Sequence, residues 1–232
     1  MPKKAFDNFD GFAKDYRQIH DESIKISGTD SDYFSEQKVE EIRRNESNAN
    51  PTVLDLGCGD GNSALFFQKH FSNLKYFGLD VSKESIAIAS KKGLTDAEFT
   101  HYNGLDIPFE DNTFDIILIA CVLHHINFEL HEKVLQEVKR VLKKGGRLYI
   151  FEHNPFNPVT QKIVKDCPFD QDAVLLSPFY AKKVLAKLDY REINVNYTIF
   201  FPRTQIFNKL LALEKYLKWL PIGGQYYAKS TK

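Results

Sequence analysis

The chain has 232 residues, of which 31 are lysine or arginine and 31 are aspartate or glutamate, so its net charge is close to zero. A chain of this length can form one domain with a substantial hydrophobic core, and its charge balance argues against a nucleic-acid partner, which normally requires a basic surface. The longest apolar run, Ile116 to Leu123, is far shorter than the roughly 20 residues that cross a bilayer.

The N-terminus and the cysteines indicate a reducing compartment. The first four residues, MPKK, lead into a polar segment and not into the apolar core of a signal peptide. The cysteines Cys58, Cys121 and Cys167 are far apart and lack the spacing of a zinc site. We therefore expect a cytoplasmic protein with reduced thiols and no metal site.

Residues 1–48 form a polar segment with helical character, which we call the cap. One predicted helix runs from Phe6 to His20 and a second from Tyr33 to Arg44. The turn-forming sequence SGTDS at 27–31 separates them.

Strands and helices alternate after the cap, which favours a parallel sheet with helices on both faces. Predicted helices cover Asn62–His70, begin at Ser82, and cover Glu129–Lys143. The last is expected to end at Gly145-Gly146 and to bury a face formed by Val134, Leu135, Val138, Val141 and Leu142. The predicted strands are 52–56, 75–79, 97–101, 115–120 and 147–152.

The C-terminal third completes the predicted sheet. An insert at about 155–178 precedes a helix over 179–188 and a strand over 191–201. A helix over 204–219 then leads to a short strand over 226–228, which brings the prediction to seven strands.

The segment VLDLGCGDG at 53–61 joins a buried strand to a helix through three closely spaced glycines. Glycine lets a ligand approach the backbone, so this turn predicts a nucleotide-type binding site. Its pattern, D-x-G-x-G-x-G, matches neither the G-x-G-x-x-G of dinucleotide folds nor the lysine-containing phosphate loop. The carboxylate of Asp55 at the end of the strand indicates a ligand with positive charge.

This segment resembles the first motif, LDLGCGxG, of the class I S-adenosylmethionine-dependent methyltransferases. In that family the glycine loop lies against the methionine part of the cofactor, and the acidic residue orders the loop and the ammonium end. The resemblance implies S-adenosyl-L-methionine as cofactor and S-adenosyl-L-homocysteine as product. It assigns to the cofactor site Asp55, Gly57, Cys58, Gly59 and Asn62.

A second block, FGLDVS at 77–82, is similar to the family's second motif. A carboxylate at the end of the second strand can accept hydrogen bonds from both ribose hydroxyls, as in dinucleotide enzymes. The resemblance implies this role for Asp80, with Val81 beside it in the cofactor site.

Two further blocks extend the resemblance over roughly residues 50–155. YNGLDIPF at 102–109 is similar to GDAxxLPF, and it implies cofactor contacts from Asn103, Gly104 and Leu105. The family usually has aspartate where Asn103 stands, but an asparagine oxygen can still accept a hydrogen bond from the adenine amino group. LKKGGRLYI at 142–150 matches the turn and fifth strand, LKPGGxLxI.

The resemblance implies an α/β fold with a doubly wound, Rossmann-like sheet of seven strands, mostly parallel, with an antiparallel last strand. It implies a single methyltransferase domain over 1–232, in which the helical cap precedes a core over 50–232. Ligands of such sheets bind beyond the carboxyl ends of the strands, so the cofactor and the methyl acceptor are expected to meet there.

Three more residues are expected to contact the cofactor. In the family the backbone after the fourth strand holds the cofactor's amino group, which implies a role for the carbonyl of Cys121. The segment FDGFAKDY at 9–16 is similar to the F-D-x-x-A-x-x-Y of small-molecule methyltransferases, in which aromatic rings close over the cofactor. Phe9 and Tyr16 are expected to do so here, or else only to pack the cap against the sheet.

Methyl transfer from a sulfonium requires alignment and exclusion of water, and a general base only when the acceptor is a weak acid. His124 is the leading candidate because a neutral imidazole accepts protons near pH 7, and the adjacent His125 should point elsewhere. Glu152 and His153 form the second candidate pair, and His20 is a weaker one. Each of these residues also has a purely structural interpretation.

The acceptor is expected to be a small molecule. The aromatic insert favours an apolar or ring-bearing acceptor, although aromatic residues also pack cores. The apolar stripe over 204–219 is more typical of a core-facing helix than of a membrane-surface helix, and membrane contact would indicate a lipid-linked acceptor. Acceptor identity, acceptor atom and oligomeric state have no motif in this sequence.

Two other functions fit these residues less well than a methyltransferase. A catalytically silent methyltransferase-like module that binds or regulates a partner would have no need for the intact glycine turn and carboxylates. A nicotinamide-dependent oxidoreductase would require a different glycine spacing.

Overall fold

The computed structural model describes residues 9–232, so residues 6–8 of the predicted first helix lie outside it. After a 3₁₀ turn at Phe9–Gly11, the helices are α1 (Tyr16–Ile24), α2 (Ser31–Asn45), α3 (Asn62–His70), α4 (Lys83–Ser90), α5 (Phe128–Val141), α6 (Pro158–Asp166), α7 (Pro178–Lys187), α8 (Asn208–Leu211) and α9 (Glu214–Leu217). The strands are β1 (Thr52–Leu56), β2 (Lys75–Asp80), β3 (Ala97–His101), β4 (Phe114–Ala120), β5 (Leu142–His153), β6 (Arg191–Thr198) and β7 (Gln225–Thr231).

The seven strands form one sheet in the order β3-β2-β1-β4-β5-β7-β6. Strand β7 pairs antiparallel with both β5 and β6, and the other pairings are parallel. The predicted doubly wound sheet with an antiparallel last strand is therefore confirmed. The strand order changes direction between β1 and β4, so a ligand site is expected at the carboxyl ends of these two strands.

The core consists of two apolar layers, one on each face of the sheet. Side chains of β4 alternate between the layers, since Ile117 and Ile119 pack with α5 and α7, whereas Ile116 and Leu118 pack with α2 and α3. Each of these four side chains is at most 1% exposed, and burying one contributes about 1.5–3 kcal/mol. This packing fixes the turns at the ends of β1 and β4.

The helix predicted over Glu129–Lys143 is shorter than expected, because α5 ends at Val141. Leu142, expected on its buried face, has extended backbone and begins β5 opposite Phe114. The N–H of Thr113 also donates to the carbonyl of Val141 at 2.8 Å. Pairing with the sheet thus overrides helix propensity, and Gly145 lies within the irregular start of β5 instead of ending the helix.

The helix predicted over 204–219 is wrong. The segment forms a short 3₁₀ turn and the four-residue helices α8 and α9. Glu214 accepts hydrogen bonds from the N–H groups of Phe200 and Phe201, which folds the segment back on the end of β6. The apolar side chains Ile206 and Trp219 are 86% and 73% exposed, so they do not face the core.

The last two strands and the insert also differ from the prediction. The strand expected over 191–201 ends at Thr198, and the short strand expected over 226–228 extends over Gln225–Thr231. The insert contains α6, whose first turn is capped by the side chain of Asn157. Within residues 9–232, no helix has the length and apolar character needed to cross a membrane.

Candidate active site

The glycine turn after β1 lies where the strand order changes direction. The N–H groups of Gly57 and Cys58 donate to the carbonyl of Leu79 at 2.7 and 3.0 Å. Gly57 has a φ of 80°, and a Cβ at this position would lie 2.4 Å from a methyl group of Val122. The turn therefore requires glycine here, and the backbone at Gly57 packs directly against the turn after β4.

A cavity of about 110 Å³, which we call the first cavity, lies between this turn and the cap. Its lining includes seven of the expected cofactor contacts, namely Phe9, Tyr16, Gly57, Gly59, Asp80, Val81 and Cys121. The lining also includes residues that the resemblance did not assign to the cofactor site, among them Asp60, Ser85, Tyr102, Val122 and His125. The cavity thus occupies the place where the resemblance puts the cofactor.

Asp80 forms part of the wall and also orders it. Its Oδ2 accepts a hydrogen bond from the N–H of Gly59 at 2.8 Å, and its Oδ1 accepts one from the N–H of Ser82 at 2.8 Å. Each carboxylate oxygen has a second lone pair, so Asp80 can still accept hydrogen bonds from a ligand.

Asp55 lies behind the glycine turn and does not line the first cavity. The hydroxyl of Tyr76 donates to its Oδ2 at 2.5 Å, which connects β1 to β2. Asp55 is 1% exposed, and this burial raises the pKa of its carboxyl to about 6. Its expected role toward the ammonium end of a cofactor stays a prediction.

Cys58 and Asn62 are buried but do not line the first cavity. The side-chain amide of Asn62 donates to Asp32 at 2.9 Å and to Ser35 at 3.1 Å. Asn62 thus connects α3 to α2 of the cap.

Asn103, Gly104 and Leu105 form a turn outside the first cavity. The side-chain oxygen of Asn103 accepts hydrogen bonds from the N–H groups of Leu105 and Asp106 at 2.9 and 2.8 Å. This oxygen therefore orders the turn, and its contact with an adenine amino group stays a prediction.

Ionic contacts hold the cap over the first cavity. Nε of Arg17 lies 2.6 Å from the Asp60 carboxylate in the glycine turn. Asp10 accepts a hydrogen bond from the hydroxyl of Ser82 at 2.7 Å. No sequence motif indicates these contacts, because the two residues of each pair lie far apart along the chain.

Aromatic rings complete the cap side of the first cavity. Tyr16 stacks on Phe169 of the insert with ring centroids 4.6 Å apart, and Phe9 meets the ring of His125 edge-on at 4.9 Å. Both expected rings therefore line the cavity and pack against other elements at the same time.

The turn after β4 and the end of β5 bring the predicted catalytic residues together. His124 Nδ1 lies 2.5 Å from Oε2 of Glu152, and the other Glu152 oxygen accepts a hydrogen bond from the N–H of Leu123 at 3.0 Å. The ring of His153 lies 5.3 Å from that of His124, centroid to centroid. Both oxygens of Glu152 are thus engaged in holding His124 and its turn.

Asp170, in the insert, completes this cluster. Its Oδ1 lies 3.2 Å from Nε2 of His125 and 3.6 Å from Nε2 of His124. The N–H of Val174 donates to the carbonyl of His124 at 3.0 Å and fixes the insert against the turn. Asp170 belongs to no motif, so its position could not be predicted from spacing.

The charges in the cluster determine its protonation. Burial opposes a charge on His124, but the carboxylates of Glu152 and Asp170 outweigh it and raise the pKa of His124 to about 10. Burial would raise the pKa of Asp170, yet the neighbouring histidines hold it far below the usual range. Burial, together with the charge of His124, lowers the pKa of His153 to about 4.

A second cavity, of about 290 Å³, lies between the cap, α6 and the segment after β6. Its lining is mostly apolar and includes Ile24, Phe34, Val159, Ile163, Phe200 and Phe201. The imidazoles of His20 and His153 also line it. Burial and the charge of Lys38 lower the pKa of His20 to about 4.

The two cavities are neighbours. Cys121 lines the first cavity and Gln225 lines the second, and the Gln225 amide nitrogen lies 3.9 Å from the Cys121 sulfur. On the cap side, Tyr16 lines the first cavity and His20 the second, one helical turn apart, with ring centroids 6.0 Å apart. Cys121 has a φ of 57°, which is uncommon for a residue with a side chain and typical of functional turns.

Lys38 on α2 is a buried cation that the sequence did not single out. It is 8% exposed, and its ammonium group donates to the carbonyl of Phe34 at 3.2 Å. Burial lowers the pKa of Lys38, against the charges of Asp55 and Glu152. Its charge helps to lower the pKa of His20 and of His153, and Phe34, whose carbonyl it contacts, lines the second cavity.

Known proteins resemble this chain in sequence. A family described as "Methyltransferase domain" matches residues 53–146. An uncharacterized protein of Methanocaldococcus jannaschii is 33% identical over 195 residues, which are 83% of this chain and 85% of that protein. An uncharacterized methyltransferase of Bacillus subtilis is 32% identical over 158 residues, 66% of this chain and 58% of the relative. A demethylmenaquinone methyltransferase of Thermotoga maritima is 40% identical over 105 residues, 45% of this chain and 44% of the relative.

The chain belongs to the class I S-adenosylmethionine-dependent methyltransferases. The matched segments span less than two thirds of the two relatives that are named as methyltransferases. A solved S-adenosylmethionine-dependent methyltransferase of Thermotoga maritima, described as a possible histamine N-methyltransferase, has the same fold, with a TM-score of 0.71 and 19% identity over 97% of this chain and 98% of that one.

The first cavity of this methyltransferase fits the cofactor of its family. A Cβ at Gly59 would meet no atom within 4 Å, so the backbone there is open to a ligand. On the same wall, the Asp60 carboxylate is paired with Arg17 and Lys92, whereas the oxygens of Asp80 keep lone pairs that can accept hydrogen bonds from hydroxyl groups of a ligand.

Proposed function

We propose that this methyltransferase transfers the methyl group of S-adenosylmethionine, bound in the first cavity, to a small molecule bound in the second. The observation that carries the proposal is the wall that the two cavities share, where Cys121 contacts Gln225 and Tyr16 lies against His20. A methyl donor and an acceptor on the two sides of this wall would be held close together.

Different residues of the first cavity would contact different parts of the cofactor. The backbone at Gly57 and Gly59 would lie against the methionine part, and Asp80 would accept hydrogen bonds from the ribose hydroxyls. The cofactor supplies a methyl group already activated on a sulfonium. The enzyme then has to align the methyl donor with the acceptor and exclude water. The cap, which the Arg17–Asp60 pair holds over the first cavity, would contribute to both.

The second cavity favours an apolar acceptor with one polar end. Its lining is mostly aliphatic and aromatic, and its polar groups include His20, His153 and Gln225. One relative is named for demethylmenaquinone, and an apolar ring compound of that kind would suit this lining. We therefore propose an apolar, ring-bearing acceptor.

Position favours His153 or His20 over His124 for taking a proton from the acceptor. His124 is 2% exposed, lines neither cavity and is held by Glu152, whereas His20 and His153 both line the second cavity. A base must reach the acceptor before its pKa matters. Glu152 acts in this arrangement as a positioning residue.

The proposal is tested first by calorimetric titration with S-adenosylmethionine and S-adenosylhomocysteine, with NADH as control. We expect both to bind at micromolar concentration and NADH not to bind. Transfer is then measured with methyl-labelled cofactor and a panel of apolar phenols, hydroquinones and amines. Binding without transfer to any class of acceptor would favour the catalytically silent module, and no binding would contradict the proposal.

A substitution in the second cavity tests acceptor binding separately from cofactor binding. Replacing Ile163 with Trp would fill the second cavity, so transfer should fall at least tenfold while cofactor affinity is unchanged. Replacing Ile222 with Trp is the matched control, because Ile222 is 60% exposed and lies outside both cavities. Equal transfer by the two variants would show that the acceptor binds elsewhere.

A further inference from the structure

We infer that His124, His125 and Asp170 form a binding site for a divalent transition-metal ion, with zinc the best match. Each histidine offers one imidazole nitrogen and Asp170 a carboxylate oxygen, and these three atoms lie within 4.8 Å of one another. Neutral imidazole nitrogen and carboxylate oxygen are ordinary zinc ligands, so zinc binding would release the proton that His124 holds at neutral pH. Cysteine spacing predicted no metal site, but the ligands proposed here are histidines and an aspartate that is distant from them in the chain.

The distances fit an ion between the three ligands. Zinc binds nitrogen and oxygen at about 2.0–2.2 Å, so neighbouring ligands in a tetrahedral site stand roughly 3.3–3.6 Å apart. The Asp170 oxygen lies 3.2 Å from Nε2 of His125 and 3.6 Å from Nε2 of His124. These two separations match that spacing, and the ligand nitrogens of the two histidines lie within 4.8 Å of each other.

The second observation concerns Nε2 of His124, which faces this cluster. His124 Nε2 is fully buried, makes no hydrogen bond within 3.5 Å among residues 9–232, and faces the Asp170 carboxylate at 3.6 Å. Its other nitrogen, Nδ1, lies 2.5 Å from Glu152. A carboxylate on one imidazole nitrogen commonly orients the other toward a metal and increases its basicity. Glu152 is itself fixed by the N–H of Leu123.

The site would leave one coordination position open toward the first cavity. His125 lines that cavity, whereas His124 and Asp170 are buried behind it. Three protein ligands and an open position are typical of catalytic zinc sites.

Zinc binding is measured directly on the chain after removal of metal by a chelator. A surface cluster of Glu36, Glu40 and His70 also offers three possible ligands, so every titration uses the His70→Asn background. In that background we expect one zinc ion per chain by calorimetry and by elemental analysis after gel filtration. Cobalt should give the visible absorption of a tetrahedral ion.

Two variants decide whether the ion binds at this site. Asp170→Asn and His125→Asn should each weaken zinc binding at least tenfold, the usual effect of losing one ligand or its support. His101→Asn, which changes an exposed histidine on β3, should bind zinc like the parent. Circular dichroism and thermal unfolding confirm that each variant is folded.

Two results would overturn the inference. One is the absence of stoichiometric zinc binding in the His70→Asn background, and the other is equal binding by Asp170→Asn and His101→Asn. Cofactor titration is performed on the same samples. Cofactor binding without zinc would refute only the metal site, and zinc binding without cofactor would refute only the proposed function.

Discussion

At the scale of single residues, Asp80 both lines the first cavity and orders its wall through the N–H of Gly59. Replacing Asp80 with Ala removes the expected ribose contacts together with this hydrogen bond. We expect the affinity for S-adenosylmethionine, measured by calorimetry, to fall by about 1–3 kcal/mol, as for hydrogen bonds to charged groups. Asp166→Ala, on exposed α6, is the control and should bind normally. Unchanged affinity in the Asp80 variant would remove the ribose assignment.

Asp55 predicts a pH dependence of stability. Burial raises its pKa from 3.8 to about 6, so the folded chain holds this proton more tightly than the unfolded chain. The stabilisation from this proton is at its maximum when the pH is below the pKa of Asp55 in the unfolded chain. It is lost as the pH rises through the pKa of Asp55 in the folded chain. Since one pKa unit corresponds to roughly 1.4 kcal/mol, the whole effect is about 3 kcal/mol, of which about 2.4 kcal/mol is lost between pH 4 and pH 7.

The Asp55→Asn variant isolates this effect because asparagine does not titrate. The free energy of unfolding of the wild type, relative to that of the variant, should decrease by about 2.4 kcal/mol from pH 4 to pH 7. Urea denaturation at a series of pH values measures it. A difference that stays constant across this range would show that the Asp55 carboxyl is not shifted.

At the scale of elements, the pair Arg17–Asp60 joins the cap to the glycine turn. The Arg17 side chain is 33% exposed, and partly exposed pairs contribute roughly 0.2–1 kcal/mol. Replacing Arg17 with Gln should therefore weaken cofactor binding about two- to fivefold and increase amide hydrogen exchange in α1. Arg44→Gln is the control, because it removes ion pairs of α2 that lie away from the cavity. Exchange in α1 equal to that of the control would show that the pair does not close the cap.

Local sequence signals were sufficient for the elements that end at the first cavity. The glycine turn after β1 and the carboxylate at the end of β2 follow from spacing, because consecutive residues create them. Elements whose limits depend on distant partners were predicted less well. Leu142 fits the helical pattern of α5 but belongs to β5, since Phe114 pairs with it.

In the candidate site, too, residues at strand ends could be predicted from the sequence, whereas contacts between distant residues could not. His124 and Glu152 could be named from their positions at strand ends, but their 2.5 Å contact is a tertiary result. Asp170 and Lys38 could not be named at all, because an irregular insert and a helix of the cap carry them to the site. Three-dimensional proximity of charges, not a motif, identifies such residues.

At the scale of the whole molecule, the first cavity is built from the cap, the glycine turn and the turns after β2 and β4. A ligand bound there contacts all of them only in the folded chain, so it should stabilise the whole fold. At a concentration one hundred times Kd the gain is about 2.7 kcal/mol, and for a chain of this size 1 kcal/mol raises Tm by roughly 2–4 °C. We expect S-adenosylmethionine to raise Tm by about 5–10 °C in scanning calorimetry. Asp80→Ala at the same ligand concentration should show a smaller rise, because its affinity is lower. If Tm does not change for the wild type, the cofactor does not bind across these elements.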